Sequence, residues 1–227
     1  MIPPESPDAR ELSREYRLRF EGQEDYRRAV WKQLTDFLQK RYSIEESSSV
    51  LDLGCGYGEF INGVNAAERH GMDLNPDSAR MLDAGVVFHE QDCSEQWPVG
   101  DLDFVFTSNF FEHLASKDLL RQTLDQALAA LKPRGILICM GPNVRFLPGR
   151  YWDFWDHYIP LTERSLKEAL ELVGFEVFDC VGAFLPYTMS QGRRPPAWTV
   201  DVYLRTPLIW RLLGKQFLVA ARKPLAG

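Results

Sequence analysis

The stretch Val50–Gly58, VLDLGCGYG, constrains the fold more than any other part of the chain. A short apolar run, of a length suited to one buried strand, breaks directly into three glycines at alternate positions, Gly54, Gly56 and Gly58. A glycine-rich turn lets a ligand approach the backbone without meeting a Cβ and presents amide groups to it. The run also carries an acid, Asp52, two residues before the first glycine. A dinucleotide turn spaces its glycines G-x-G-x-x-G, and the pyrophosphate it holds is disfavoured beside a carboxylate. A ligand with an amino group is better served by Asp52.

The remainder of the chain shows what this turn belongs to. Glu24 to Tyr42 places Tyr26, Val30, Leu34, Phe37, Leu38 and Tyr42 at helical spacing, which predicts an amphipathic helix covering one face of a sheet. SSSVLDLG, ERHGMDLN and GVVFHEQD read as strands with room for one short helix after each of the first two, Asn75 and Pro76 starting the second. DLDFVFTSN is a further strand. Ser116 then caps a helix whose Leu120, Leu124, Leu128 and Leu131 share one face, before KPRG turns into the strand ILICM. Strands alternating with helices require crossover connections and therefore a parallel sheet. The expected fold is a doubly wound, Rossmann-like α/β sheet in three layers, mostly parallel, with an antiparallel last strand.

After Met140 the periodicity fades. GPNVRFLPGRYWDFWDHYIPLTE is dense in aromatics, and a helix from about Thr162 to Val173, closed by Gly174, follows it. FEVFDCVGAF and QFLVAARK read as two strands. Between them, Leu185 to Lys215 is rich in loop signals, with Pro186, Pro195, Pro196 and Pro207 and one short apolar helix, PLIWRLLG. The expected organisation is one unit over residues 1–227: a helical cap (1–46), a ligand-binding core (47–141), an acceptor-side segment (142–182), a lid insertion (183–214) and the last strand (215–223).

Composition excludes several classes. A chain of 227 residues is too short for two full catalytic domains, and a net charge of −6 gives no basic face for nucleic acid, Arg193 and Arg194 being a local patch. The four cysteines, Cys55, Cys93, Cys139 and Cys180, show no CxxC or Cys/His spacing; they suggest a reducing, cytosolic compartment, and no metal-ligand set is read from the sequence. The first twenty residues lack the apolar core of a signal peptide, and no run reaches the length of a membrane span. The expectation is a soluble protein for which peripheral membrane contact stays open.

With these motifs in order, the sequence resembles the class I S-adenosylmethionine-dependent methyltransferases, specifically the small-molecule branch with type 11 or type 23 domains. LDLGCGYG matches the first motif of that family, GMDLN the second, QDCSE the third, FVFTSNFFEHL the fourth, and LKPRGIL its helix-turn-strand, usually with glycine where Arg134 stands. The resemblance covers Val50 to Gly141 closely and reaches more loosely to Gly174. It implies that S-adenosylmethionine is the cofactor and S-adenosylhomocysteine the product. Gly54, Gly56 and Gly58 would then pass under the methionine moiety, with Asp52 near its amino group. Asp73 would accept from both ribose hydroxyls and Leu74 would pack on the adenine. Asp92 and Cys93, at the end of the third strand, would read the adenine edge, and Ser108 and Asn109 would lie close to the sulfonium.

The acceptor side is less determined. His70 and His89 fall within strands and read as structural. His113 begins the helix after the fourth strand, where it would either take a proton from an attacking hydroxyl or, with Glu112, merely cap and shape that helix. His157, among Tyr151, Trp152, Phe154, Trp155 and Tyr158, would either line an acceptor pocket or sit in the packed base of a loop. Both are candidate catalytic residues. SNFF stands where amino methyltransferases acting on bases or glutamine carry a Pro-Pro-Tyr type tetrapeptide, which favours an oxygen or carbon acceptor on a small molecule, a lipid-linked compound or a glycan intermediate. A cofactor-binding partner protein without chemistry, and an NAD-dependent oxidoreductase, are the competing readings. The lid, with Tyr187, Met189, Trp198, Tyr203 and Trp210, is expected over the acceptor pocket, and its short helix is expected to pack into the domain in preference to resting on a bilayer.

Overall fold

A computed structural model describes residues 24–187 and 196–225. The expected cap over residues 1–23, and Met189, Arg193, Arg194 and Pro195 of the expected lid, lie outside the described residues. Helix α1 (Glu24–Tyr42) leads into β1 (Ser49–Leu53), β2 (Glu68–Asp73), β3 (Val86–Glu90) and β4 (Leu102–Ser108). Then come α2 (Lys117–Ala130), β5 (Leu131–Pro142), α3 (Glu163–Val173), β6 (Glu176–Val181), α4 (Trp198–Leu204), α5 (Pro207–Leu213) and β7 (Gln216–Arg222). The strands form one sheet in the order β3-β2-β1-β4-β5-β7-β6. β1 to β5 pair in parallel and β7 runs antiparallel to both its neighbours. The reversal of strand order at β1 and β4 makes the cleft in which ligands of doubly wound sheets bind.

Both faces of the central strands are buried, and alternation sorts their side chains. Val50, Phe104, Phe106, Ile138, Met140, Leu218 and Ala220 meet Leu34, Leu38 and Tyr42 of α1. Leu51, Leu53, Val105, Leu137, Cys139, Phe217 and Val219 meet Leu120, Leu124 and Ala127 of α2 and Leu166 and Leu170 of α3. Helix ends follow their chemistry: the Ser116 hydroxyl accepts from the Leu119 amide, Thr162 and Ser165 form a reciprocal capping box, and Gly174 closes α3 at φ 115°.

Four expectations need correction. The link from β1 to β2 holds turns in place of a helix, because Gly58 and Gly63 with Asn62 and Asn65 weaken a segment already too short to propagate. Asn75 and Pro76 do start a helix, but it is a five-residue 3-10 helix, Pro76–Arg80. Leu131 is the first residue of β5 and not the last of the α2 face; Leu131 pairs with Leu102 and Ile136 with Phe104, so KPRG bulges out of the ladder, Arg134 at φ 67°. Among the described residues before β7 there are two helices, α4 as well as the expected α5.

That last pair is not fully packed either. Leu204 and Trp210 reach the α1-side core beside Phe184 and Leu185, while Trp198, Val202, Leu208, Leu212 and Leu213 are exposed. The expectation that α5 packs fully into the domain therefore fails, since a seven-residue helix apolar on nearly every side can bury only one of them.

Candidate functional site

The glycine turn leaves β1 at the cleft. Gly54, Gly56 and Gly58 all have positive φ, 69°, 52° and 75°. At Gly54 a second constraint applies: a Cβ there would stand 2.5 Å from the Phe110 ring, so the turn and the segment after β4 close on each other only because position 54 is bare. The turn is pinned by the end of β2. Asp73 Oδ2 accepts from the Gly56 amide at 2.8 Å and Oδ1 from the Asn75 amide at 2.8 Å. Asp73 was expected to keep its carboxylate for a ribose; the structure shows that it also shapes the loop, and each oxygen retains acceptor capacity for a hydroxyl.

Three carboxylates face this turn. Asp52, buried in β1 between Gly71 and Phe106 of the flanking strands, has its pKa raised well above the usual carboxylate range, first by burial and then by the charge of Glu59, against the Ile61 amide hydrogen bond. Burial likewise raises Asp73, opposed by its backbone amide donors. Glu59 is held by Arg27 of α1, whose Nε donates at 3.0 Å. A concentration of negative charge that burial makes costly favours a cationic ligand and disfavours a phosphate.

The other expected cofactor contacts fall around the same cleft. Leu74 follows β2 and is half-buried. Asp92 and Cys93 lie just beyond β3, which ends at Glu90 and not, as expected, at these residues. Asp92 Oδ1 accepts from the Ser94 amide and hydroxyl at 2.8 and 2.7 Å, which fixes the turn. The Cys93 carbonyl accepts from the Trp97 indole at 2.8 Å, and burial pushes its thiol up to about 12, so it acts as a packed apolar group. Ser108 ends β4, and Asn109 adopts φ 49° with its side-chain amide donating to the Ser108 hydroxyl at 3.0 Å.

Beyond Asn109 the chain makes a 3-10 turn, Phe111–His113, so His113 precedes α2 instead of beginning it. The aromatic segment after β5 folds back onto this turn, the amides of Tyr158 and Ile159 both donating to the Glu112 carbonyl at 2.8 and 3.2 Å. The fold-back brings His157 to His113, with ring centroids 5.0 Å apart. His113 Nδ1 lies 2.9 Å from an Asp156 carboxylate oxygen and 3.0 Å from the Asp156 carbonyl. Burial lowers the His113 pKa, but Asp156 and the Glu112 charge outweigh it and the net shift is upward. His157 Nδ1 lies 2.8 Å from the Tyr151 carbonyl, its ring packed between Tyr151 and Phe154. A carbonyl only accepts, so Nδ1 carries the proton on both rings, and Nε2 is the atom each neutral ring offers to a proton or a ligand.

Both candidate catalytic histidines thus lie together, close enough to the glycine turn for Asp73 to feel the charge of His113. His70 and His89 pair with each other instead, Nδ1 to Nε2 at 3.1 Å, on β2 and β3. Sequence reading passed over Glu59, Arg27 and Asp156. The only signals for them were an acid one residue past the glycine turn and the dipeptide Asp156-His157.

A seven-stranded sheet with one antiparallel strand inserted and a glycine turn ringed by acids where the strand order reverses defines a doubly wound α/β domain. The sequence pattern of the methyltransferase-domain family matches residues 23–179, and the chain belongs to that family as a class I S-adenosylmethionine-dependent methyltransferase domain. A protein of Mycolicibacterium smegmatis described as a probable S-adenosylmethionine-dependent methyltransferase is 29% identical over 143 residues, covering 60% of this chain. The matched part spans 54%, about half, of that relative. Among solved structures, the methyltransferase in complex with the Haloferax volcanii Trm112 methyltransferase activator superposes with a TM-score of 0.68 at 18% identity, covering 97% of this chain and 100% of that one. The N-methyltransferase NodS of Bradyrhizobium japonicum, bound to S-adenosylhomocysteine, gives a TM-score of 0.63 at 16% identity, covering 95% and 98%. At these identities the structures show the shared fold.

Proposed function

We propose that the chain transfers the methyl group of S-adenosylmethionine to an oxygen or carbon of a small, lipid-linked or glycan acceptor. The observation that carries this is the acid-ringed turn: Asp52, Glu59 and Asp73 favour a ligand bearing ammonium and sulfonium charges, and Asp73 stands at the strand end where ribose hydroxyls are read. Methyl transfer from a sulfonium is an in-line displacement in which charge disappears, so alignment and exclusion of water matter most. In this reading Gly54, Gly56 and Gly58 carry the methionine part, Leu74, Asp92 and Cys93 bound the adenine, and Ser108 and Asn109 lie near the sulfonium. His113 and His157 activate the acceptor.

The exposed apolar faces of α4 and α5 favour a lipid-linked acceptor within that class. Leu208, Leu212, Leu213 and Trp198 stand in solvent with Arg205 and Arg211 beside them, a composition that suits an anionic bilayer surface. Among the described residues no helix is long and apolar enough to cross a membrane. The test supplies methyl-labelled S-adenosylmethionine with separated small-molecule, lipid and glycan extracts and follows label transfer together with S-adenosylhomocysteine. Label in one fraction supports methyl transfer and names the acceptor class. Tight S-adenosylhomocysteine binding without product from any fraction would support the non-catalytic partner, and binding of NAD in its place would revive the oxidoreductase.

A further inference from the structure

Glu112, His113 and His157 form a cluster that neither proton transfer nor helix capping accounts for in full. Their ligand atoms all lie within 4.8 Å of one another, His113 Nε2 standing 4.0 Å from Glu112 Oε1. Glu112 and His157 are 3% and 6% exposed. Among the described residues no other three His, Cys, Asp or Glu side chains converge in this way.

The surroundings of the two rings point to a ligand. Each Nδ1–H is committed, one to Asp156 and the other to the Tyr151 carbonyl, which fixes the tautomer and makes Nε2 the basic nitrogen of each neutral ring. Metal-binding histidines are oriented by this kind of hydrogen bond from the nitrogen that does not ligate. Three ligands about 2.1 Å from one ion lie roughly 3.0 to 3.4 Å apart, so a small inward rotation of these side chains makes the site. Two imidazoles with one carboxylate suit a borderline divalent cation such as Zn²⁺, Mn²⁺, Co²⁺ or Fe²⁺, with positions left open for an outside oxygen.

We infer that Glu112, His113 and His157 bind one divalent transition-metal cation that holds and activates a hydroxyl oxygen of the acceptor. The inference rests on the methyl-transfer reading for its chemistry, though not for its binding. The hydroxyl coordinates the cation and gives its proton to solvent, as a bound cation lowers the pKa of a ligating oxygen. A lone pair of that oxygen forms the O–CH₃ bond as the S–CH₃ bond breaks. The electron pair of the broken bond stays on sulfur, leaving S-adenosylhomocysteine as a neutral thioether. His113 and His157 then hold the ion and not the proton, and the acceptor is a hydroxyl compound.

The test titrates chelator-treated full-length protein with Co²⁺ and Zn²⁺, reading stoichiometry by elemental analysis and the visible d–d bands of Co²⁺. S-adenosylhomocysteine affinity is measured in parallel. The expected result is one tight equivalent with a Co²⁺ spectrum, weakened 100-fold or more in Glu112→Gln and His157→Gln, and about 10- to 100-fold in Asp156→Asn, which keeps every ligand. The variant His70→Ala/His89→Ala, which removes the pair on β2 and β3, should keep that equivalent. Equal affinity in wild type and Glu112→Gln, or loss of the equivalent in His70→Ala/His89→Ala, overturns the site. Should Glu112→Gln fail to fold, His157→Gln and Asp156→Asn decide it. Cation binding without S-adenosylhomocysteine binding in the wild type would sink the methyl-transfer reading and leave the metal site standing, so the two failures are distinguishable.

Discussion

The two halves of the cleft are built by different means. On the side of the glycine turn, Val50 to Ser94 forms its geometry mainly within one stretch of chain: glycines at positive φ, a carboxylate on two backbone amides, and an Asx turn at Asp92. On the side of the two histidines, a 3-10 turn after β4 and the loop after β5 come together from distant parts of the chain, and side chains make the surface. A backbone-built half tolerates little change because its donors have fixed directions. A half built from side chains can alter its ligand by substitution without disturbing the sheet.

The sharpest way to break this contrast is Asp73→Ala. It removes the acceptor of the Gly56 and Asn75 amides together with the ribose contact, so calorimetry should show S-adenosylhomocysteine affinity falling at least about 100-fold. The apo protein should lose on the order of 2 kcal/mol in denaturant melts. Unchanged affinity would remove Asp73 from the cofactor site.

Next in size is Gly54→Ala, which places a methyl group against Phe110 at a φ that disfavours any Cβ. A loss of about 1–3 kcal/mol is expected, part of it relieved in the double variant with Phe110→Ala. Strict additivity in that cycle would mean that the turn and the acceptor-side segment do not constrain each other.

A smaller effect is expected from Asp52→Asn, and it should stabilise. The folded pKa of Asp52 is raised by burial and by Glu59, which is itself paired with Arg27, with Asp73 adding to the shift. A raised carboxylate favours the folded state below its unfolded pKa, and that contribution is lost as pH rises through the folded value. The amide is free of this, so the variant should gain a few degrees of Tm at alkaline pH, with the gap closing as pH falls toward the ordinary carboxylate range. Cofactor affinity should drop meanwhile, because the buried charge that is costly to the fold is the one that would meet an ammonium. A gap independent of pH would show that Asp52 is ionised at no local cost.

Least is expected from changing Leu208, Leu212 and Leu213 together to serine. Stability should shift by no more than about 0.5 kcal/mol per site because all three are exposed. Sedimentation with anionic vesicles should be lost while S-adenosylhomocysteine binding persists. Retained sedimentation would remove α5 from the lipid-facing surface.

The same division governs what could be read in advance. The strands, α1, α3 and the glycine turn were legible because alternation, helical spacing, Thr162 and Gly174 are signals carried by neighbouring residues. The helix after Gly58 was misread because its length fitted a crossover while its glycines and asparagines opposed propagation. α4 is not legible because it starts after Ala197 with no capping side chain and ends without a glycine, whereas α5, of the same length, is bracketed by Pro207 and Gly214. His113 and His157 were named as candidates, but their convergence with Glu112 depends on a backbone fold-back that no local spacing encodes.

The antiparallel strand has a consequence for the order in which the molecule can form. β7 lies between β5 and β6, so β6 has no sheet neighbour until the chain through Arg222 has been synthesised. The C-terminal turn of α1 waits as well: Arg41 and Tyr42 bond to Asp179 of β6, across more than half the chain. On the ribosome, β1 to β5 can pair as they emerge, while α1 can gain its last anchor only after the final strand slides into the gap. Completion of the sheet therefore waits for its C-terminal strand, and the helix that precedes β1 is the last to be fully docked.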